Sequence, residues 1–160
     1  MSDCSQWQVY LPDEAATASL GRFLGERMQA GQGLALVGEL GSGKTCLARG
    51  VGHGLGLNDP DAVCSPTYLL VMEHPGPVPM IHLDAYLPAK TRGFLADGGL
   101  DYLNEAPGLV VVEWADRVSN LLPETTLWLR MGMQDTGRKV VISGPIASFR
   151  WLDTLPESFS

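Results

Sequence analysis

Residues 38–45 read Gly38-Glu39-Leu40-Gly41-Ser42-Gly43-Lys44-Thr45, and they meet the G-x-x-x-x-G-K-[ST] spacing at every defined position. The spacing has a physical purpose. Glycines let the backbone curl until successive N–H groups face phosphate oxygens, and the helix that follows adds the positive end of its dipole. In such a loop Lys44 reaches the β- and γ-phosphates and the Thr45 hydroxyl ligates Mg²⁺. The competing reading is a glycine-rich turn that matches by accident, and the flanks argue against it. Gly33-Leu34-Ala35-Leu36-Val37 is a short apolar run, as of a buried strand entering the loop. Beyond it, Cys46, Leu47, Gly50, Val51 and Leu55 recur at helical spacing until Gly54 and Gly56 end the pattern. Strand, loop and helix is the setting a phosphate loop requires. Cys46, next on the helix, reads as a small packing residue on the nucleotide side rather than a nucleophile.

Outward from the loop, Trp7 to Leu11 reads as a first strand. Pro12, Asp13 and Glu14 open a helix expected to run to about Gln29, with Leu20, Phe23, Leu24 and Met28 on its apolar face. After the polar turn Asn58-Asp59-Pro60-Asp61, strands are expected at Tyr68–Met72 and Val78–Asp84, paired as a hairpin across Pro75-Gly76-Pro77. Residues 88–108 suggest short helical turns. Leu109-Val110-Val111-Val112-Glu113 is the most apolar strand, and its unbroken run suggests burial on both faces at the centre of a parallel sheet. A short helix over Ala115–Leu122 and a closing hairpin, Thr125–Met131 with Arg138–Ser143, complete the pattern, with a tail of open docking after Pro145. With no repeat or linker in view, the expectation is one α/β domain over residues 1–160.

Composition narrows the function. The hydrophobic fraction is 45% and the net charge −7, with only three lysines. A protein that grips RNA or DNA by its backbone carries a basic face. None is visible, so no direct nucleic-acid binding is expected from this chain alone. No apolar run approaches a membrane span and the polar start is no signal peptide, which makes the cytoplasm the expected compartment. Cys4, Cys46 and Cys64 have no C-x-x-C spacing, and His53, His74 and His82 no H-E-x-x-H arrangement, so neither a disulfide framework nor a zinc site is supported.

A nucleotide hydrolase also needs an acidic group for the Mg²⁺ shell and a group to orient the attacking water. In open α/β sheets ligands gather at the carboxyl ends of strands, the edge that carries the phosphate loop. Asp84 and Glu113 both end strands. Asp is common in turns, which is the bland reading of Asp84. A Glu directly after four buried apolar residues must be solvated, paired or metal-bound, so Glu113 carries the stronger local signal. Thr67, in Ser65-Pro66-Thr67-Tyr68, either approaches the γ-phosphate like a switch residue or merely starts a strand; both readings stay open. His82 shares a strand face with Asp84 and reads as a hydrogen-bonded structural histidine. Trp114 stacks on a base or partner, or packs on the core, the first being favoured.

Taken together, Leu11-Pro12-Asp13-Glu14-Ala15-Ala16-Thr17, the loop, Ser65-Pro66-Thr67-Tyr68, His82-Leu83-Asp84-Ala85-Tyr86 and Val112-Glu113-Trp114 resemble the TsaE (YjeE) family of small bacterial ATPases, in order over about residues 8–144. The resemblance implies a P-loop fold with a mainly parallel central sheet, antiparallel edge strands and flanking helices. It implies ATP and Mg²⁺ as ligands and a complex with TsaD and TsaB, in which TsaD transfers threonylcarbamoyl to tRNA and the ATPase resets the machine. It assigns Lys44 and Thr45 to phosphates and Mg²⁺, Asp84 and Glu113 to the metal and water, Thr67 to the γ-phosphate region, and Trp114 to the functional surface. Thr17 matches a family threonine near the nucleotide. Two positions depart: Leu87 stands where the family continues D-x-Y with Arg, with Arg92 a candidate replacement, and Cys46 replaces a second hydroxyl after the lysine.

The rival enzyme is a small-molecule kinase, with Asp84 as base for a substrate hydroxyl. Such kinases usually clamp the phosphate with lid arginines, and residues 88–108 offer only Arg92. A GTPase lacks support, since neither N-K-x-D nor D-x-x-G follows the loop. A third reading is a binding module whose nucleotide only stabilises the fold.

Overall fold

In the computed structural model, which describes residues 3–66 and 70–159, the apolar loop-entry run becomes β2 (Gly33–Val37) and the last apolar run β5 (Leu109–Glu113). Around them lie β1 (Cys4–Leu11), β3 (Val71–His74), β4 (Met80–Asp84), β6 (Leu127–Gln134) and β7 (Gly137–Pro145). The seven strands form one sheet in the order β1-β7-β6-β2-β5-β4-β3. β6, β2, β5 and β4 are mutually parallel; β3 on one edge and β7 on the other side run against them, and β1, antiparallel to β7, closes that edge in the direction of the centre.

Both faces of the centre are covered. Leu34, Leu36, Leu109 and Val111 enter the core beneath α1 (Glu14–Arg27) and α2 (Lys44–Leu55). Ala35, Ile81, Leu83 and Val112 enter a second core, under α3 (Pro88–Phe94), α4 (Leu100–Asn104) and the 3₁₀ turns Ala115–Leu121. The two-residue side-chain period thus sends neighbouring residues of β2 and β5 to opposite layers. α1 starts at Asp13, whose carboxylate accepts from the Ala16 N–H at 2.8 Å, an N-cap worth roughly 1 kcal/mol.

α1 and α2 touch backbone to backbone. A methyl on Gly25 would be driven into the Val51 carbonyl oxygen and lie 3.0 Å from the Gly54 Cα. Gly→Ala in an exposed helix adds about 1 kcal/mol of stability. Here the sign reverses: Gly25→Ala should lower unfolding free energy by about 2–3 kcal/mol, read from urea midpoints. A midpoint equal to or above wild type would mean that the helices can part without cost.

Several expected boundaries move. β1 begins three residues earlier because it pairs with β7 from Cys4↔Pro145 onward. The strand expected from Tyr68 begins at Val71, since Leu70 has a left-handed φ of 68°; Tyr68 and Leu69 lie outside the described residues. Its partner starts at Met80 rather than Val78, and the two do pair antiparallel. The expected helix after Trp114 is 3₁₀, broken at Val118. The closing hairpin turns on Asp135 and Thr136 alone, Gln134 facing Gly137. The tail forms α5 (Ile146–Phe149) and a 3₁₀ turn, burying Phe149 and Leu152, and the Tyr10 N–H donates to the Glu157 carbonyl. No described helix is long and apolar enough to cross a membrane.

Candidate functional site

Two registers bring the chemistry to one edge. Leu36 pairs with Glu113 and Glu113 with Asp84, so the carboxyl ends of β2, β5 and β4 lie level where the loop leaves β2. Around the loop, the described residues Glu14, Leu40, Cys46, Ser65, Tyr86, Glu113 and Trp114 line an open pocket. A second hollow, on the other side of Gly41 and Gly43, is walled by Leu11, Pro12, Asp13, Thr17, Thr136 and Arg138.

The loop has the build of an anion cradle. Gly43 caps α2 with φ 103°, a conformation that strains any side chain, and the first N–H groups of a helix have no intrahelical acceptor. At Gly38 a Cβ would stand 2.5 Å from Ser42 Oγ and 2.7 Å from the Met131 carbonyl oxygen, so only glycine lets the loop close. Lys44 is 5% exposed. Its Nζ donates to the Gly38 and Glu39 carbonyls at 2.6 and 3.0 Å and sits 4.3 Å from the centre of the Trp114 ring. Burial lowers the Lys44 pKa, with Glu113, Asp84, Glu39 and Asp116 pulling the other way. Desolvated donors bunched on a glycine loop fit a polyphosphate.

Glu113, 2% exposed, is held on both oxygens. Thr45 Oγ1 donates to Oε1 at 3.1 Å, and His82 Nε2, fully buried, meets Oε2 at 2.6 Å. With the proton on Nε2 the imidazole donates and Nδ1 is the acceptor; among the described residues Nδ1 has no partner. His74, its ring centre 6.4 Å away, has a pKa lowered chiefly by burial and then by His82. Asp84 accepts from Ser65 Oγ at 2.9 Å and from the Tyr86 N–H at 2.8 Å. A threonine hydroxyl beside a carboxylate at a helix N-terminus is an oxygen donor set suited to Mg²⁺.

Most of the sequence candidates converge here. Gly38, Glu39, Leu40, Gly41, Ser42, Gly43, Lys44 and Thr45 form the loop, with Cys46, Glu113 and Trp114 on the pocket wall and Asp84 level with Glu113. Trp114 is half-buried, with a left-handed φ of 58°, and its ring lies against Lys44 and Tyr86. Thr17 is buried behind Gly43, its hydroxyl turned onto the Asp13 carbonyl. Thr67 lies outside the described residues.

Three residues carry more than the sequence reading gave them. His82, read from the sequence as a hydrogen-bonded structural histidine with no partner assigned, proves to be the partner of Glu113. The arginine at the Asp84-Ala85-Tyr86 corner is Arg117, which donates to the Tyr86 carbonyl and lies 5.0 Å from its ring, whereas Arg92 is exposed on α3. Arg138 reaches the loop from β7, more than ninety residues away in sequence. No local pattern marks either arginine, because each acts across a fold contact.

Comparison with known proteins gives the family. The family model described as "Threonylcarbamoyl adenosine biosynthesis protein TsaE" matches residues 11–140. A protein of Streptomyces coelicolor described as tRNA threonylcarbamoyladenosine biosynthesis protein TsaE is 39% identical over 134 residues, spanning 78% of this chain and 88% of its own. One of the same description from Nostoc is 36% identical over 114 residues, 69% of each chain. The crystal structure of YdiB from Bacillus subtilis superposes with a TM-score of 0.71 over 96% of this chain and 94% of that one, at 22% identity, a likeness of fold. The chain belongs to the TsaE family of threonylcarbamoyladenosine biosynthesis proteins.

Proposed function

We propose that this chain binds and hydrolyses Mg²⁺–ATP in the cytoplasm as an accessory subunit acting with TsaD and TsaB in threonylcarbamoyladenosine modification of tRNA. The observation that carries the reading is the 3.1 Å contact between Thr45 and Glu113, which joins the phosphate loop to a strand-end carboxylate at the sheet edge where nucleotides bind. Lys44 exchanges the Gly38 and Glu39 carbonyls for β- and γ-phosphate oxygens. The base occupies the hollow between Pro12, Thr17, Thr136 and Arg138, which adjoins the loop through Gly41 and Gly43. Thr45, Glu113 and Asp84 hold Mg²⁺, directly or through water. Held there, the ion would neutralise charge that develops on the phosphates in phosphoryl transfer. Glu113 takes the metal side because Thr45 already touches it, and His82 keeps that carboxylate from rotating. Asp84, anchored by Ser65 and the Tyr86 N–H, faces the attacking water.

The test is ATP hydrolysis by the purified protein, alone and with the TsaB–TsaD pair of the same organism. Slow turnover that rises with the pair is expected. ATP consumption that ignores the pair and needs an added metabolite would establish the kinase instead.

A further inference from the structure

Arg138 is the second residue of β7, opposite Leu11 of β1, and its guanidinium spans two successive loop carbonyls. Nε donates to Ser42 O at 3.1 Å, Nη2 to Gly41 O at 3.0 Å, and Nη1 to Gly137 O at 3.2 Å. In a trans peptide the N–H points opposite to the C=O. The 41–42 peptide is therefore held at both ends, because the Ser42 N–H also donates to Glu39 O at 3.0 Å. Among the described residues the 42–43 peptide is held by its carbonyl alone, which leaves the Gly43 N–H turned away from Arg138. Gly41 and Gly43, with φ of 81° and 103°, have no side chain to hold these planes. A planar fork with fixed donors can hold them.

We infer that Arg138 is a positioning residue for the phosphate loop: from the closing hairpin it fixes the Gly41 and Ser42 carbonyls outward, and so holds the loop's curve and presents the Gly43 N–H to a polyphosphate. The inference rests on the nucleotide-binding reading above. Its substrate part is the phosphate chain, not the base, although Arg138 also walls the hollow assigned to the base.

The experiment is competition of fluorescent ATP from the full-length protein by ATP and by Mg²⁺-tripolyphosphate, which has no base. Wild type should bind both; if it binds neither, the nucleotide reading fails and not this one. Arg138→Met should weaken ATP and tripolyphosphate by the same factor, about tenfold or more, and KM for ATP should rise by more than kcat falls. Arg138→Lys, which can reach one carbonyl, should fall between. Millimolar guanidinium should restore binding to Arg138→Ala, which a role in folding alone would not permit. Unchanged affinities in Arg138→Met, or a loss confined to ATP, would overturn the inference, the second by making Arg138 a base contact. Should Arg138→Met fail to fold, the ATP and tripolyphosphate factors of Arg138→Lys decide in the same way.

Discussion

Lys44→Ala loses ATP binding, by about a thousandfold in affinity. Truncating one partner of a buried, hydrogen-bonded charge pair costs about 2–5 kcal/mol, and each 1.4 kcal/mol is tenfold. Lys44 belongs at the upper end of that range. Burial has already stripped its ammonium of water, which is what lowers its pKa, so the desolvation that binding normally requires is complete before the phosphates arrive. Its two carbonyl acceptors belong to the loop itself, and exchanging them for phosphate oxygens needs no rearrangement of the sheet. The variant should still fold, because it removes a desolvated cation and leaves its acceptors beside an open pocket. Fluorescent-nucleotide titration with thermal unfolding as control measures both. Wild-type affinity in a folded Lys44→Ala would overturn the phosphate-loop assignment.

Glu113→Ala separates binding from turnover. The carboxylate lies at the metal side of the site, beyond the loop that grips the nucleotide, so ATP affinity should change only a few-fold. Hydrolysis should fall by about 10²–10³, the range for removing one positioned acid–base or charge-stabilising group. Alanine also strands His82, whose Nε2 loses its partner while Nδ1 has none among the described residues. Some loss of stability is therefore expected, and Glu113→Gln, which retains two hydrogen-bonding atoms at the same reach, is the matched variant. Tight ATP binding with no turnover in either variant supports the mechanism. Wild-type rates in both would remove Glu113 from it, and a wild type that binds ATP without hydrolysing it would favour the binding module.

The eight loop residues and the apolar runs at 33–37 and 109–113 were legible from sequence because each depends on local geometry. A glycine loop must curl, an unbroken apolar strand must be covered on both faces, and a carboxylate after such a strand must be solvated, paired or metal-bound. Order along the chain also marked Asp84 and Glu113 as strand-end acids. Only the tertiary structure decided that β2, β5 and β4 lie side by side with their ends level. Only it paired Thr45 with Glu113, gave His82 Glu113 as its partner, turned Arg117 onto Tyr86 of another strand end, and brought Arg138 to a loop far from it in the chain. Side-chain pattern reports which face of a strand is buried, and that is a property of neighbours in sequence. Strand order and cross-sheet contacts depend on which distant surfaces meet, and no local period encodes that.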